Sequence, residues 1–102
     1  MIKLKNTTAP HTGEVILHFG VDLHSAKKAM VMIHGRGADA QSMVGLGEHF
    51  NSDNTIFIVP QADSYTWYPH RFIEKREENE PGISSGLKLI DSIITELNSA
   101  GL

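Results

Sequence analysis

Two glycines flank an arginine directly after a histidine, in the motif His34-Gly35-Arg36-Gly37. An unbroken apolar run at residues 29–33 precedes this motif and is typical of a buried strand. Glycines leave the backbone accessible in a tight turn. Backbone N–H groups at such a turn, between a strand and the start of a helix, can hold a negative charge. The motif therefore indicates a site for an anion or for a developing oxyanion.

One segment matches the sequence pattern of a catalytic serine without the strand that such a serine needs. The segment GISSG at residues 82–86 matches the Gly-X-Ser-X-Gly pattern of a nucleophile elbow. A working elbow needs a buried strand before it, whereas residues 77–81 are acidic and polar and end in proline. The sequence therefore predicts that Ser84 is an ordinary residue in the first turn of a helix.

Strands and helices alternate among the elements that must position the glycine motif. Strands are predicted at residues 14–20, 29–33 and 55–59, and helices at about residues 40–50 and at residues 83–97. Residues 29–33 have the continuous apolar pattern of a strand buried on both faces. Asp39 is the predicted N-cap of the first helix, and Gly101 follows the end of the second. This order predicts an α/β fold with a mainly parallel sheet flanked by helices.

Each predicted helix has one apolar face, which we expect to be buried. In the first helix this face comprises Met43, Leu46 and Phe50. In the second helix the residues that step by four and three share a face, namely Ile83, Leu87, Ile90, Ile94 and Leu97. The serines at 85 and 92 fall largely on the opposite, polar side.

Composition argues against several classes of function. The 102 residues carry a net charge of −3, without the basic patch of a nucleic-acid-binding protein. The sequence has no cysteine, and its six histidines lack metal-ligand spacing, so neither thiol catalysis nor a metal site is predicted. No apolar run has the length of a membrane span or of a signal-peptide core, and the predicted location is cytoplasmic.

Several motifs, in one order along the chain, resemble those of the phospholipase/carboxylesterase family, small α/β-hydrolases that include acyl-protein thioesterases. The segment HGRGA at residues 34–38 resembles the oxyanion loop of that family. The other matching segments are VPQA at 59–62, the aromatic loop TWYP at 66–69 with Phe72, and NEP at 79–81 before the second helix. The similarity runs over residues 14–102, and the motifs together are more specific than any one of them.

The resemblance implies hydrolysis of carboxylic esters or thioesters through a serine nucleophile, with Asp and His completing a triad. It implies that the backbone N–H of Arg36 is one donor of an oxyanion hole, which His34, Gly35 and Gly37 shape. The Arg36 side chain has two open interpretations, since it either points to solvent or favours anionic substrates.

On the substrate side, the resemblance implies that Gln61 and Trp67 border a small-molecule ester or thioester. For Trp67 the alternative is a packing role that holds its loop to the core. No cofactor or metal is implied. The resemblance places all three triad residues beyond Leu102, so residues 1–102 are predicted to form one partial α/β-hydrolase domain that does not hydrolyse esters by itself.

Two other classes of function stay open. The segment GRGADA at residues 35–40 also satisfies the Gly-X-Gly-X-X-Gly/Ala pattern of dinucleotide binding, although residues 59–61 lack the acid expected to bind a ribose. A non-catalytic interaction fragment is the other class. The strand edge from Met30 to Ile33 would then pair with the missing C-terminal half of the hydrolase or with another chain, because an unpaired apolar edge recruits partners.

Overall fold

The computed structural model describes residues 4–50, 54–70 and 75–102. Its strands are β1 (Ile16–Gly20), β2 (Lys28–Val31) and β3 (Thr55–Pro60), and its α-helices are α1 (Ala40–Gly47) and α2 (Gly82–Ser99). Short 3₁₀ turns occupy Glu48–Phe50, Asp63–Tyr65 and Arg76–Asn79. The chain order β1, β2, α1, β3, α2 agrees with the predicted α/β class. No helix in the described part of the chain is long and apolar enough to cross a membrane.

The central strand of the sheet is β3. The strand order is β1-β3-β2, with β1 antiparallel and β2 parallel to β3, so the three described strands form a mixed sheet. Every residue of β3 is buried. Its alternate side chains serve two cores, because Ile56 and Ile58 pack towards α2, whereas Phe57 and Val59 pack with Met32 on the other side.

Strand β2 lies at an edge of this sheet. Met30 and Ile33 are exposed, so the prediction that residues 29–33 are buried on both faces is wrong. The physical reason is that the described residues provide β2 with a hydrogen-bonding neighbour on one side only, at β3. An apolar strand edge is therefore accessible, as the interaction alternative requires.

Helix α1 packs on the sheet through the small residues Ala40 and Gly47 and through Met43. The carboxylate of Asp39 accepts the Ser42 N–H at 2.9 Å, which confirms the predicted N-cap. Of the predicted apolar face, Met43 packs against the core cluster that contains Phe57, whereas Leu46 and Phe50 are exposed, so the prediction holds only in part. A Cβ at Gly47 would collide with the Phe19 ring, which shows how closely this helix approaches β1.

Helix α2 covers the sheet through a different face from the one predicted. Leu89, Ile93 and Leu97 are buried against β3, whereas Leu87 and Ile94 are exposed. Only Leu97 of the predicted face is fully buried. The helix has apolar residues on two adjacent faces, and packing on the sheet selects the one that contains Leu89 and Ile93.

The polar side of α2 is covered by the start of the chain. The Ser85 hydroxyl donates to the Thr8 carbonyl at 2.5 Å and accepts the His11 N–H at 2.8 Å. The Ser92 hydroxyl donates to the Lys5 carbonyl at 2.6 Å and accepts the Lys5 N–H at 3.0 Å. Both serines are buried although they lie on the polar side of the helix, because their hydroxyls satisfy backbone groups of a segment that belongs to none of the described strands.

Candidate active site

The glycine motif forms a tight turn after β2. The Ala38 N–H donates to the Gly35 carbonyl at 3.1 Å, and Gly37 has a φ of +79°. A positive φ at the third position is the mark of a type II turn, which explains why a glycine stands there. A Cβ at Gly35 or Gly37 would meet no atom within 4 Å, so this side of the turn is open.

The Arg36 amide is an available donor of this turn. The Gly37 N–H donates to the Tyr65 carbonyl at 2.7 Å, and the Ala38 N–H closes the turn. Among the residues that the structure describes, nothing accepts a hydrogen bond from the Arg36 N–H. An N–H on a tight turn that makes no hydrogen bond with the described residues is available to act as an oxyanion donor.

His34 supports the turn from inside the protein. It is buried; its Nδ1–H donates to the Gly35 carbonyl at 2.7 Å, and its Nε2 accepts the Ala62 N–H at 3.0 Å. These two bonds fix one neutral tautomer. Both ring nitrogens are bound to backbone, which agrees with a structural role and leaves none for proton transfer.

Gln61 joins the end of β3 to the start of α1. Its Oε1 accepts the Ala40 N–H at 2.7 Å, and its Nε2 donates to the Ala62 carbonyl at 3.1 Å. The side chain also lines a cleft of about 480 Å³ together with Tyr65 and residues 10–15. Substrate contact by Gln61 stays a prediction, whereas its bridging of two elements is observed.

Trp67 packs directly behind the turn. Its Nε1–H donates to the His34 carbonyl at 2.9 Å, and the two rings stack with centroids 5.1 Å apart. The indole belongs to the core cluster of β3 and α2, and it also lines an apolar groove of about 440 Å³ beside Ile83 and Ile90. The packing interpretation of Trp67 is thus observed, while contact with substrate stays a prediction.

The Arg36 side chain binds backbone carbonyls of the aromatic loop, a role that neither interpretation of the sequence included. Its Nε donates to the Tyr68 carbonyl at 3.2 Å, and its Nη2 donates to the Pro69 carbonyl. The guanidinium therefore links the turn to the aromatic loop across its exposed surface.

Sequence reasoning missed His11. This histidine is buried; its Nε2–H donates to the Trp67 carbonyl at 2.7 Å, and its Nδ1 accepts the Asp63 N–H at 3.1 Å. No local pattern could have revealed it, because these partners lie 56 and 52 residues away in the sequence. The described residues contain no group of three or more His, Cys, Asp or Glu that could hold a metal ion.

Ser84 lies in the first turn of α2, as predicted. Its N–H donates to Glu80 Oε1 at 2.8 Å, and its hydroxyl donates to Glu80 Oε2. The structure places the short turn Arg76–Asn79 before this segment, not a strand, so the elbow geometry is absent here. The Ser84 hydroxyl, and then its N–H, lower the pKa of Glu80 by stabilising the carboxylate.

We expect Glu80→Gln to reduce stability at neutral pH but not in acid. A carboxyl whose pKa is lowered in the folded state contributes stability above its unfolded pKa, and this contribution is lost as the pH falls through the folded pKa. Urea unfolding of both proteins between neutral pH and acid would measure the difference. The matched control is Glu78→Gln, at an exposed carboxylate of the same segment. A Glu80→Gln effect that is the same at every pH would contradict the interpretation.

No protein-family model matches the chain, and no curated protein matches it. Among solved structures, a phospholipase/carboxylesterase from Dyadobacter fermentans DSM 18053 is similar, with a TM-score of 0.85 and 33% sequence identity. The alignment covers 95% of this chain and 46% of that one, so the chain spans about half the length of the esterase. The resemblance predicted from the sequence is confirmed: over nearly its whole length, this chain is similar in fold and sequence to a phospholipase/carboxylesterase.

Proposed function

We propose that this chain supplies the oxyanion turn and part of the substrate site of a serine hydrolase that acts on carboxylic esters or thioesters. The observation that carries the proposal is the Arg36 amide, which makes no hydrogen bond with the described residues and lies on a turn that the positive φ of Gly37 makes possible. His34 and Trp67 hold this turn from behind. The serine, aspartate and histidine of the triad are expected outside residues 1–102.

In the proposed reaction a base takes the proton of a serine hydroxyl while the serine oxygen attacks the carbonyl carbon, and one C=O electron pair moves onto the carbonyl oxygen. The Arg36 N–H donates a hydrogen bond to that oxygen and stabilises its negative charge. The tetrahedral intermediate collapses, and the alcohol or thiol leaves with the proton that the base returns; water then attacks the acyl-enzyme, which releases the carboxylic acid and regenerates the serine. Neither His34 nor His11 is proposed as the base, because the ring nitrogens of both are bound to backbone groups.

We expect Arg36→Pro to lower kcat by about 10²- to 10³-fold, because it deletes one oxyanion donor. Proline is favoured at the second position of a type II turn, so the turn itself is expected to persist. The assay needs a complete enzyme, which a chimera provides by replacing the aligned part of the D. fermentans esterase with this chain. Hydrolysis of p-nitrophenyl acetate by the chimera gives kcat and KM.

The control is Arg36→Ala, which keeps the amide but removes the guanidinium that contacts Tyr68 and Pro69. A much smaller loss of kcat is expected for this variant than for Arg36→Pro. Equal losses would mean that the side chain, and not the amide, matters. A folded chimera without any esterase activity would count against the proposed function as a whole.

A second candidate function, pairing through the sheet edge, is favoured by the exposed strand β2. We expect the isolated chain to self-associate, and Met30→Lys to reduce this association, because a charge on an edge strand opposes strand pairing. Sedimentation velocity over a range of concentrations measures the effect. His18→Lys places the same side chain on β1, at the opposite edge, and serves as the control. A monomeric wild-type chain would contradict the prediction.

The similarity to a phospholipase/carboxylesterase supports a small-molecule ester as the proposed substrate. A thioester substrate and a cytoplasmic location stay predictions. Dinucleotide binding stays an untested alternative. Against it, Pro60 and Gln61 stand at the end of β3, where a ribose-binding acid is expected.

A further inference from the structure

Trp67 packs against two buried imidazole rings. Its ring centroid lies 4.9 Å from that of His11, at an interplanar angle of 55°, and 5.1 Å from that of His34, at 29°. The proposed function uses His34 beneath the oxyanion turn, but it assigns nothing to His11. This histidine comes from the segment at the start of the chain, outside every strand and helix that the structure describes.

Two consecutive amides of the loop after β3 are bound by these histidines. The Ala62 N–H donates to His34 Nε2 at 3.0 Å, and the Asp63 N–H donates to His11 Nδ1 at 3.1 Å. The other ring nitrogen of His34 donates to the Gly35 carbonyl, and the other ring nitrogen of His11 donates to the Trp67 carbonyl. His34 and His11 therefore hold the start of the loop at residues 62–67, and His11 also holds its end at Trp67, with each ring in one neutral tautomer.

A continuous chain of hydrogen bonds joins His11 to the oxyanion turn. His11 fixes the Trp67 carbonyl, and the Trp67 indole donates to the His34 carbonyl, which immediately precedes Gly35. Separately, the Tyr65 carbonyl of the same loop accepts the Gly37 N–H at 2.7 Å. Two contacts thus transmit the position of this loop to the turn.

We propose that His11 is a positioning residue of the candidate active site, which acts through Trp67 and the loop at residues 62–67 to place the Arg36 amide. The inference rests on the proposed function for its catalytic meaning. The placement itself is a property of this chain and is measurable without turnover. Polar contacts on both ring nitrogens separate His11 from a residue that only fills space.

The first readouts use the isolated chain. Trp67 is the only tryptophan, so its fluorescence reports on this site alone. In His11→Ala we expect greater quenching of Trp67 by acrylamide and displaced NMR amide resonances of Arg36 and Gly37. His11→Gln retains an N–H donor that can reach the Trp67 carbonyl and is expected to restore both signals towards wild type. His11→Asn keeps mainly the acceptor near Asp63 and is expected to restore them less.

The control is Ser92→Ala, which loosens the same N-terminal segment at Lys5 without touching the loop. It is expected to lower stability but to leave the Arg36 resonance and Trp67 quenching unchanged. The proposal is overturned if Ser92→Ala reproduces the changes of His11→Ala, or if folded His11→Ala shows none. If His11→Ala does not fold, the comparison of His11→Gln with His11→Asn tests the proposal. Equal Trp67 quenching and equal amide resonances in these two variants would overturn it.

A kinetic readout links placement to the reaction. In the chimera, His11→Ala is expected to lower kcat by up to about 10²-fold, the effect of displacing a catalytic group by about 1 Å, with a smaller change in KM. A loss confined to KM would overturn the positioning role. An inactive wild-type chimera would remove the proposed function, while the fluorescence and NMR readouts would still decide whether His11 positions the turn.

Discussion

Replacing Leu89 with alanine is expected to lower the free energy of unfolding by about 2–5 kcal/mol. The side chain of Leu89 is 0% exposed and packs in the core between α2 and β3. Truncation removes buried apolar area and leaves a cavity that the neighbouring side chains fill only in part. For a small domain with a total stability of about 5–15 kcal/mol, such a loss is a large fraction.

The matched control, Leu87→Ala, is the same substitution two residues earlier on the same helix. Leu87 is 57% exposed, so its truncation is expected to change stability by no more than about 0.5 kcal/mol. Urea unfolding followed by far-UV circular dichroism measures both variants. Since the sequence pattern alone selects Leu87 as the buried residue, a larger effect at Leu87 than at Leu89 would refute the packing described above.

Trp67→Ala is the second substitution with a large expected effect and is expected to lower the free energy of unfolding by about 3–5 kcal/mol. The indole is 9% exposed, lies in the core cluster and donates to the His34 carbonyl at 2.9 Å. Its removal creates a cavity and leaves that carbonyl without this donor. The oxyanion turn is expected to lose order as well, because His34 and Trp67 support each other.

Tyr65→Ala is the control for Trp67, an aromatic residue of the same loop that is 58% exposed. Its truncation is expected to cost far less, since the Tyr65 contact to the turn is made by a backbone carbonyl that alanine retains. Circular dichroism is the appropriate probe, because Trp67→Ala removes the only tryptophan. Comparable losses for the two variants would show that Trp67 is not a core residue.

The features that the sequence predicted correctly are those with local causes. A carboxylate three residues before a free N–H makes the N-cap at Asp39, and Gly101, with a φ of +91°, follows the end of α2. Continuous apolar character identified β3, because a central strand is covered on both faces. The glycine pattern identified the turn at residues 35–38, since a positive φ at Gly37 disfavours other residues.

Tertiary structure decided which partners these elements meet. The apolar pattern of α2 allowed either of two adjacent faces to be buried, and only packing on the sheet chose Leu89 over Leu87. The apolar run at residues 29–33 could not by itself show that Met30 and Ile33 are exposed, because strand order does not follow from composition; the edge at these residues entered the sequence analysis only as one alternative. His11 is the clearest case. Its role depends on carbonyl and amide groups more than 50 residues away, and only folding brings them within hydrogen-bond distance.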